Sequence, residues 1–375
     1  MRVKNTLVSL VLLLPLCSSA VFGKVYRVGP NERFQRPSEL VNRVVSGDVV
    51  EILSATYLND EAVWRTDNLT IRGVGQRPRL HIGERYKIAN RKAIWVIAGD
   101  NMRIENIEFS GAHVPDLNGA GLRVEGGNLT VENCYFHHNE FGILTGKLAG
   151  TLSVLNSEFA YQHRKGTFAH GVYVGDVEHF IFRGNYVHHS DGGHHVKSRA
   201  RRSEILYNFL SDGADGQSSY AIDLPNCGDA LVIGNVLLQG EGSINHSAIA
   251  YGAEGCAGKP VSLAVVHNSF VNRYPEGGFF VNNHTRHNVL IANNLVMGQG
   301  KLAFGLARPL GNRQWPLCGG SDAHVIGCLS SLDAGNGVSL PEALLPDSQY
   351  RHPSSTIPRT GQGKLKIGSF AAGGF

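Results

Sequence analysis

Eight times between residues 106 and 296 an apolar residue follows an asparagine by two or three positions, and no other feature of the 375-residue chain constrains its folding as much. The pairs are Asn106/Phe109, Asn133/Phe136, Asn156/Phe159, Asn185/Val187, Asn208/Leu210, Asn235/Leu237, Asn268/Phe270 and Asn294/Val296. The apolar anchors stand 27, 23, 28, 23, 27, 33 and 26 residues apart. That length and scatter match one winding of a parallel β-solenoid, whose turns absorb insertions while its strands keep register. Between the anchors lie short alternating runs rich in β-branched residues, such as Val172-Tyr173-Val174, closed by Gly, Asn and Asp. These runs read as strands and fit neither a helical repeat nor a propeller blade. The asparagines read as structural, because their amides tolerate turns and can bond the backbone of the next winding.

Residues 24–300 are therefore expected to form one all-β parallel β-helix domain, which escapes the size limit on a compact core by growing along its axis. The only sustained helical period after residue 20 covers Ser38 to Val45, with Leu40, Val41, Val44 and Val45 on one face. A short helix there, N-capped by Ser38, would cover the open first coil. Residues 301–375, with many Gly, Pro and Ser, read as an irregular tail packed on the last coils.

Arg2 and Lys4 precede the apolar run Leu7 to Leu16, and small residues follow it, so residues 1–23 read as a cleavable signal peptide. The run is short for a membrane anchor. The expected location is secreted or periplasmic, with no membrane insertion after cleavage and a monomeric mature chain. Among the cysteines left after Cys17, Cys227 and Cys256 sit on consecutive coils and Cys318 and Cys328 close a small loop, which suggests two disulfides; Cys134 beside Phe136 reads as a buried thiol.

Alternate residues of stacked strands point outward, so equivalent positions make rows about 5 Å apart. Aligning the inward pairs Val172/Val174, Val196/Ser198 and Ile222/Leu224 places Tyr173, Lys197 and Asp223 in one outward row, with Arg199 beside Lys197. The same alignment puts Ile249 opposite Phe279 and Phe280 outward beside Ala250. Gly175 and Gly252 read as room for a ligand. His195 is expected to face outward beside this patch, with His170 at the edge of the preceding coil, and Arg201 and Arg202 add charge on the following turn. The patch is locally basic although the whole chain carries only +4. Such a face favours an anionic ligand, and without a long basic surface nucleic acid is not expected. His137 and His188 read as stacked turn residues bonding backbone. A metal cluster from His188, His189, Asp191, His194 and His195 is disfavoured because those residues spread around a turn. Asp212 and Asp215 read as turn residues, with a hydrolase pair or a calcium ligand as the functional alternative.

On these residues the chain resembles the right-handed parallel β-helix proteins of the pectate-lyase-like superfamily. The segment Val196-Lys197-Ser198 with Ile205-Leu206-Tyr207-Asn208 resembles the alginate lyase and chondroitinase B family, whose lysine in a similar Lys-Ser segment is the catalytic base. The basic groove of an exported solenoid points to a lyase acting on an acidic, uronate-containing polysaccharide by β-elimination, and the resemblance implies Lys197 as its base. Arg199 would pair with the substrate carboxylate, and Tyr173 or His195 would protonate the leaving oxygen. Asp223, Asn226, His170 and Arg201 are expected to bind substrate. Where that family carries an arginine on the next coil, this chain reads Ile222-Asp223-Leu224-Pro225-Asn226, and the family's calcium-binding glutamates upstream of the lysine are missing, with only Asp191 nearby. No metal site is expected, and Ca2+ is the one cofactor the resemblance suggests. The alternatives are a glycoside hydrolase using Asp223 with a loop carboxylate, Asp212 or Asp215, and a non-catalytic carbohydrate-binding solenoid.

Overall fold

The computed structural model describes residues 23–163, 166, 169–213 and 216–371, so the expected signal peptide, apart from Gly23, and Asp215 lie outside the described residues. Three parallel sheets wind around one core. The first has 12 strands, from Val25–Val28 to Ala307–Leu310; the second has 10, from Ala62–Trp64 to Lys301–Phe304; the third has 11, from Thr56–Leu58 to Arg313–Trp315. The winding thus continues past residue 300. The eight apolar anchors fall in one unbroken register on the third sheet, Phe109 to Phe136 to Phe159 to Val187 to Leu210 to Leu237 to Phe270 to Val296. Phe109, Phe136 and Phe159 stack inside it at centroid distances of 5.1 and 4.9 Å. Each such contact adds about 0.5–1.5 kcal/mol beyond area burial.

The asparagines divide into two kinds. Asn185, Asn208, Asn235, Asn268 and Asn294 form a fully buried ladder, each Nδ2 donating to the Oδ1 of the next at 2.9–3.0 Å and the last to Asn312. Asn106, Asn133 and Asn156 sit one residue earlier in the turn, at φ between 48° and 56°, where Gly184, Tyr207, Gly234, His267 and Asn293 stand in later coils. In those early coils Ile107, Cys134 and Ser157 occupy the ladder position, and Ser157 joins the column by donating its N–H to Asn185 Oδ1 at 2.9 Å.

The first coil is covered by a single 3-10 turn, Pro37–Leu40, shorter than the expected helix. Leu40 and Val44 are buried, but Val45 is exposed, and the Ser38 hydroxyl donates to Asp60 instead of capping. A helix from Asp322 to Ser331 packs on the outward face of the third sheet. It brings Val325, Ile326 and Leu329 against Phe209, Val236, Leu238, Leu295 and Met297, while Asp322 accepts hydrogen bonds from Tyr186 and Ser211. Cys227–Cys256 and Cys318–Cys328 are disulfides, and Cys134 is a buried thiol pushed up to about 12 by burial.

One expected register differs. Ile249 pairs with Val281 and Ala250 with Asn282, because the intervening turn is two residues longer than the alignment assumed. The shift places Phe280 opposite Ala248 at the corner of the sheet, where it points inward and stacks on Phe270 at 4.9 Å.

Candidate active site

Four strands of the second sheet, His170–Val174, Val196–Ser198, Ile222–Leu224 and Ser247–Tyr251, carry the candidate site. Tyr173, Lys197, Asp223 and Ala250 are successive partners on its outer face. Lys197 Nζ lies 2.8 Å from Asp223 Oδ2 and 3.5 Å from Glu254 Oε1. The Arg199 guanidinium grips Glu254 with both terminal nitrogens, at 2.6 and 2.9 Å, and donates through Nε to the Tyr173 hydroxyl at 2.9 Å and through Nη1 to Asn226 Oδ1. Lys259 donates to the Arg199 carbonyl and pairs with Asp176 at 3.0 Å, closing the near side.

His194 completes the cluster. Its ring lies between those of His170 and Tyr220, at 4.9 and 5.1 Å. Nδ1 accepts the Tyr220 N–H, which places the remaining proton on Nε2, 3.3 Å from Asp223 Oδ2. Burial, reinforced by His170 and Lys197, pulls this imidazole down to about 2, so it is a neutral donor. Burial also pushes Asp223 up, and Lys197 offsets that only in part. The Arg199 guanidinium holds Glu254 below the usual carboxylate range, and Glu254 in turn raises Arg199.

His195 does not face this cluster. It is fully buried inside the solenoid, with Nε2 3.3 Å from Asp212 Oδ1. The reason lies at the corner entering the second sheet, where two consecutive residues point inward and alternation breaks. The corner column reads Gly121, Gly142, Gly171, His195, Ala221, Ala248, Phe280. A Cβ on Gly121 or Gly142 would strike the ring of Phe136 or Phe159 and one on Gly171 would meet Val187; His195, next in the column, is fully enclosed. Asp212 is buried beside it and accepts from Ser218, Ser243 and the Gly240 N–H; burial opposes its ionisation, but the adjacent His195 and the serine hydroxyls outweigh it and hold the carboxyl low.

Of the other expected residues, Asn226 orients Arg199, and His170 is buried beneath His194, accepting its N–H on Nδ1 at 2.9 Å. Arg201 is solvent-facing on the turn, 3.7 Å from Glu178. The two glycines are not ligand space: a Cβ on Gly175 would collide with the Gly146 carbonyl, and Gly252 turns at φ +78° with Thr285 against it. His137 and His188 bond side chains, not backbone, reaching Glu108 and Glu158 at 3.0 and 3.1 Å on the third sheet. Glu254, His194 and Lys259 were not anticipated, although Cys256, whose pairing with Cys227 was, stands two residues from Glu254.

A calcium ion does not fit these carboxylates. Asp223 faces the Lys197 ammonium and the His194 N–H, Asp212 is saturated with donors, and Asp191 pairs with His163 at 2.5 Å. Among the described residues no group of three or more His, Cys, Asp or Glu side chains is arranged to hold a metal, and no helix is long and apolar enough to cross a membrane.

A family model described as a right handed beta helix region matches residues 54–170. Among solved structures, the pectate lyase Pel9A superposes with a TM-score of 0.61 at 15% identity, over 93% of this chain and 96% of that one. The alginate lyase from Paenibacillus sp. str. FPU-7 superposes with a TM-score of 0.53 at 12% identity, over 72% and 94%. The chain has a right-handed parallel β-helix fold, which these two enzymes share.

Proposed function

We propose that the protein is an exported lyase that cleaves an acidic, uronate-containing polysaccharide by β-elimination. The observation that carries this reading is the pairing of Lys197 and Arg199 over one carboxylate, that of Glu254, on an open sheet face long enough for a polymer to lie along it. The reaction needs a cation for the uronate carboxylate, a base for the neighbouring C–H, and an acid for the departing glycosidic oxygen. Arg199 supplies the cation. Lys197, in its amine form, takes the proton; the C–H electron pair becomes the new double bond and the glycosidic C–O bond breaks. Tyr173 accepts a hydrogen bond from Arg199 Nε, which leaves its own hydroxyl proton free to pass to the leaving oxygen. His194 and Asp223 hold the Lys197 amine in place.

The hydrolase alternative loses Asp212, which is enclosed within the solenoid and cannot oppose Asp223 across a groove. Incubation of the mature chain with a panel of uronate polysaccharides tests the proposal. Ultraviolet absorbance from an unsaturated uronate end supports elimination; new reducing ends without it indicate hydrolysis, and binding without new ends indicates a non-catalytic solenoid. Lys197→Ala should abolish turnover while circular dichroism stays unchanged, and full activity in that variant excludes the assigned base.

A further inference from the structure

Glu254 sits where the reaction proposed above needs the ligand's carboxylate. Its two oxygens engage both terminal nitrogens of Arg199, and Oε1 also faces Lys197 Nζ at 3.5 Å, yet the side chain is 47% exposed. The backbone that carries it is fixed. Gly252 N–H donates to the Leu224 carbonyl and Glu254 N–H to the Pro225 carbonyl, both at 2.9 Å; Asn226 Nδ2 donates to the Gly255 carbonyl at 3.1 Å, and Cys256 is bonded to Cys227. Only the torsions of the Glu254 side chain are therefore free to move, and an exposed side chain turns quickly.

We infer that Arg199 and Lys197 form a carboxylate-binding site that Glu254 fills in the free protein, and that a uronate carboxylate enters by exchange with it. The uronate identity of that ligand rests on the lyase reading. The exchange keeps the Arg199 guanidinium paired with a carboxylate before and after binding, while Lys197 keeps Asp223 throughout. A neutral sugar or a methyl ester brings no charge, so displacing Glu254 would leave the Arg199 guanidinium without a carboxylate partner within a partly desolvated cluster. The site thus discriminates by competition: an anionic polymer replaces the internal carboxylate, and an uncharged one of the same shape does not.

The test is calorimetric binding of two matched probes, de-esterified polygalacturonate oligomers and the same oligomers fully methyl-esterified, with alginate oligomers as a second anionic set. Removing the competitor in Glu254→Gln should tighten binding of the anionic oligomers about fivefold, the factor an exposed ion pair of ordinary strength represents, and Glu254→Ala should match it. The esterified probe should bind no better to wild type than to buffer-matched controls. Circular dichroism and thermal unfolding establish that both variants fold. Unchanged or weaker anionic binding in the variants, or no anionic binding in any of the proteins, overturns the inference. Tighter anionic binding in Glu254→Gln without unsaturated product in any protein would sink the lyase reading and leave the carboxylate site standing.

Discussion

Replacing Asn235 with alanine should cost more stability than replacing any of the turn asparagines Asn106, Asn133 and Asn156, and the hydrogen bonds give the size of the effect. Asn235 is fully buried; its Nδ2 donates to the Ile205 carbonyl at 2.8 Å and to Asn268 Oδ1 at 2.9 Å, while its Oδ1 accepts the backbone N–H and Nδ2 of Asn208, both at 2.9 Å. Alanine removes all four, and the Asn208 N–H is left in the interior without the acceptor it uses here. An orphaned buried donor costs about 1–3 kcal/mol and each of the three further bonds lost about 1 kcal/mol, so the sum is about 4–6 kcal/mol. Glycine at 235 should be at least as harmful, since it restores none of these bonds. Asn156 behaves in the opposite way: it holds φ at 48°, so Asn156→Ala pays about 1–2 kcal/mol for a left-handed backbone and Asn156→Gly should pay almost nothing. Denaturant unfolding followed by circular dichroism reads the four variants. An Asn235→Ala protein within about 1 kcal/mol of wild type, or an Asn156→Gly protein as unstable as Asn235→Gly, would refute the division of the asparagines into ladder and turn.

Asp212→Ala should destabilise by about 3–5 kcal/mol, because it leaves His195 and two serine hydroxyls without their buried carboxylate. His195→Gln, if it folds, should keep kcat/KM within about threefold of wild type in the ultraviolet assay; a loss of about a hundredfold would return the imidazole to the chemistry. His267 donates through Nδ1 to the Lys366 carbonyl at 2.8 Å, and burial pulls its imidazole down to about 4. Above pH ~6.5 both folded and unfolded chains carry it neutral; as pH falls towards 4 only the unfolded chain takes up the proton, so stability should drop by about 3 kcal/mol over that range and no further from this group below it. His267→Gln should flatten the midpoint-against-pH curve between those limits, and an unchanged curve would contradict the assignment.

The fold was largely legible because its signal repeats. Any one Asn-x-Phe means little, but the same spacing in register over eight coils admits few architectures, and each anchor from Phe109 to Val296 has its neighbours where counting puts them. Disulfide pairing followed from the same count, since Cys227 and Cys256 differ by about one coil. The C-terminal helix was not legible, because its signal is nonlocal. Runs such as Val236-Leu237-Leu238 and Leu295-Val296-Met297 are apolar on both faces, and the residue that turns outward there needs a cover. The cover is Asp322–Ser331, whose own sequence Asp-Ala-His-Val-Ile-Gly-Cys-Leu-Ser-Ser shows only a weak apolar stripe.

The site was legible only where strict alternation holds. Tyr173, Lys197 and Asp223 lie mid-strand, and their neighbours on the outer face are the ones a period of two assigns. At the corner entering this sheet two side chains point inward in succession, which carries His195 into the core and leaves His194 to meet Asp223. The glycines of Ala120-Gly121-Leu122, Phe141-Gly142-Ile143 and His170-Gly171-Val172 mark that corner: a Cβ there would strike Phe136, Phe159 or, at Gly171, the His195 carbonyl and Val187. His195 stands in the same inward-facing column and is interior by position, with Asp212 buried beside it. Removing these two from the outer face concentrates the chemistry. What remains outside is one amine, one guanidinium, one phenol and the carboxylates that hold them, and of those carboxylates Glu254 alone is both exposed and free to leave without breaking the coil.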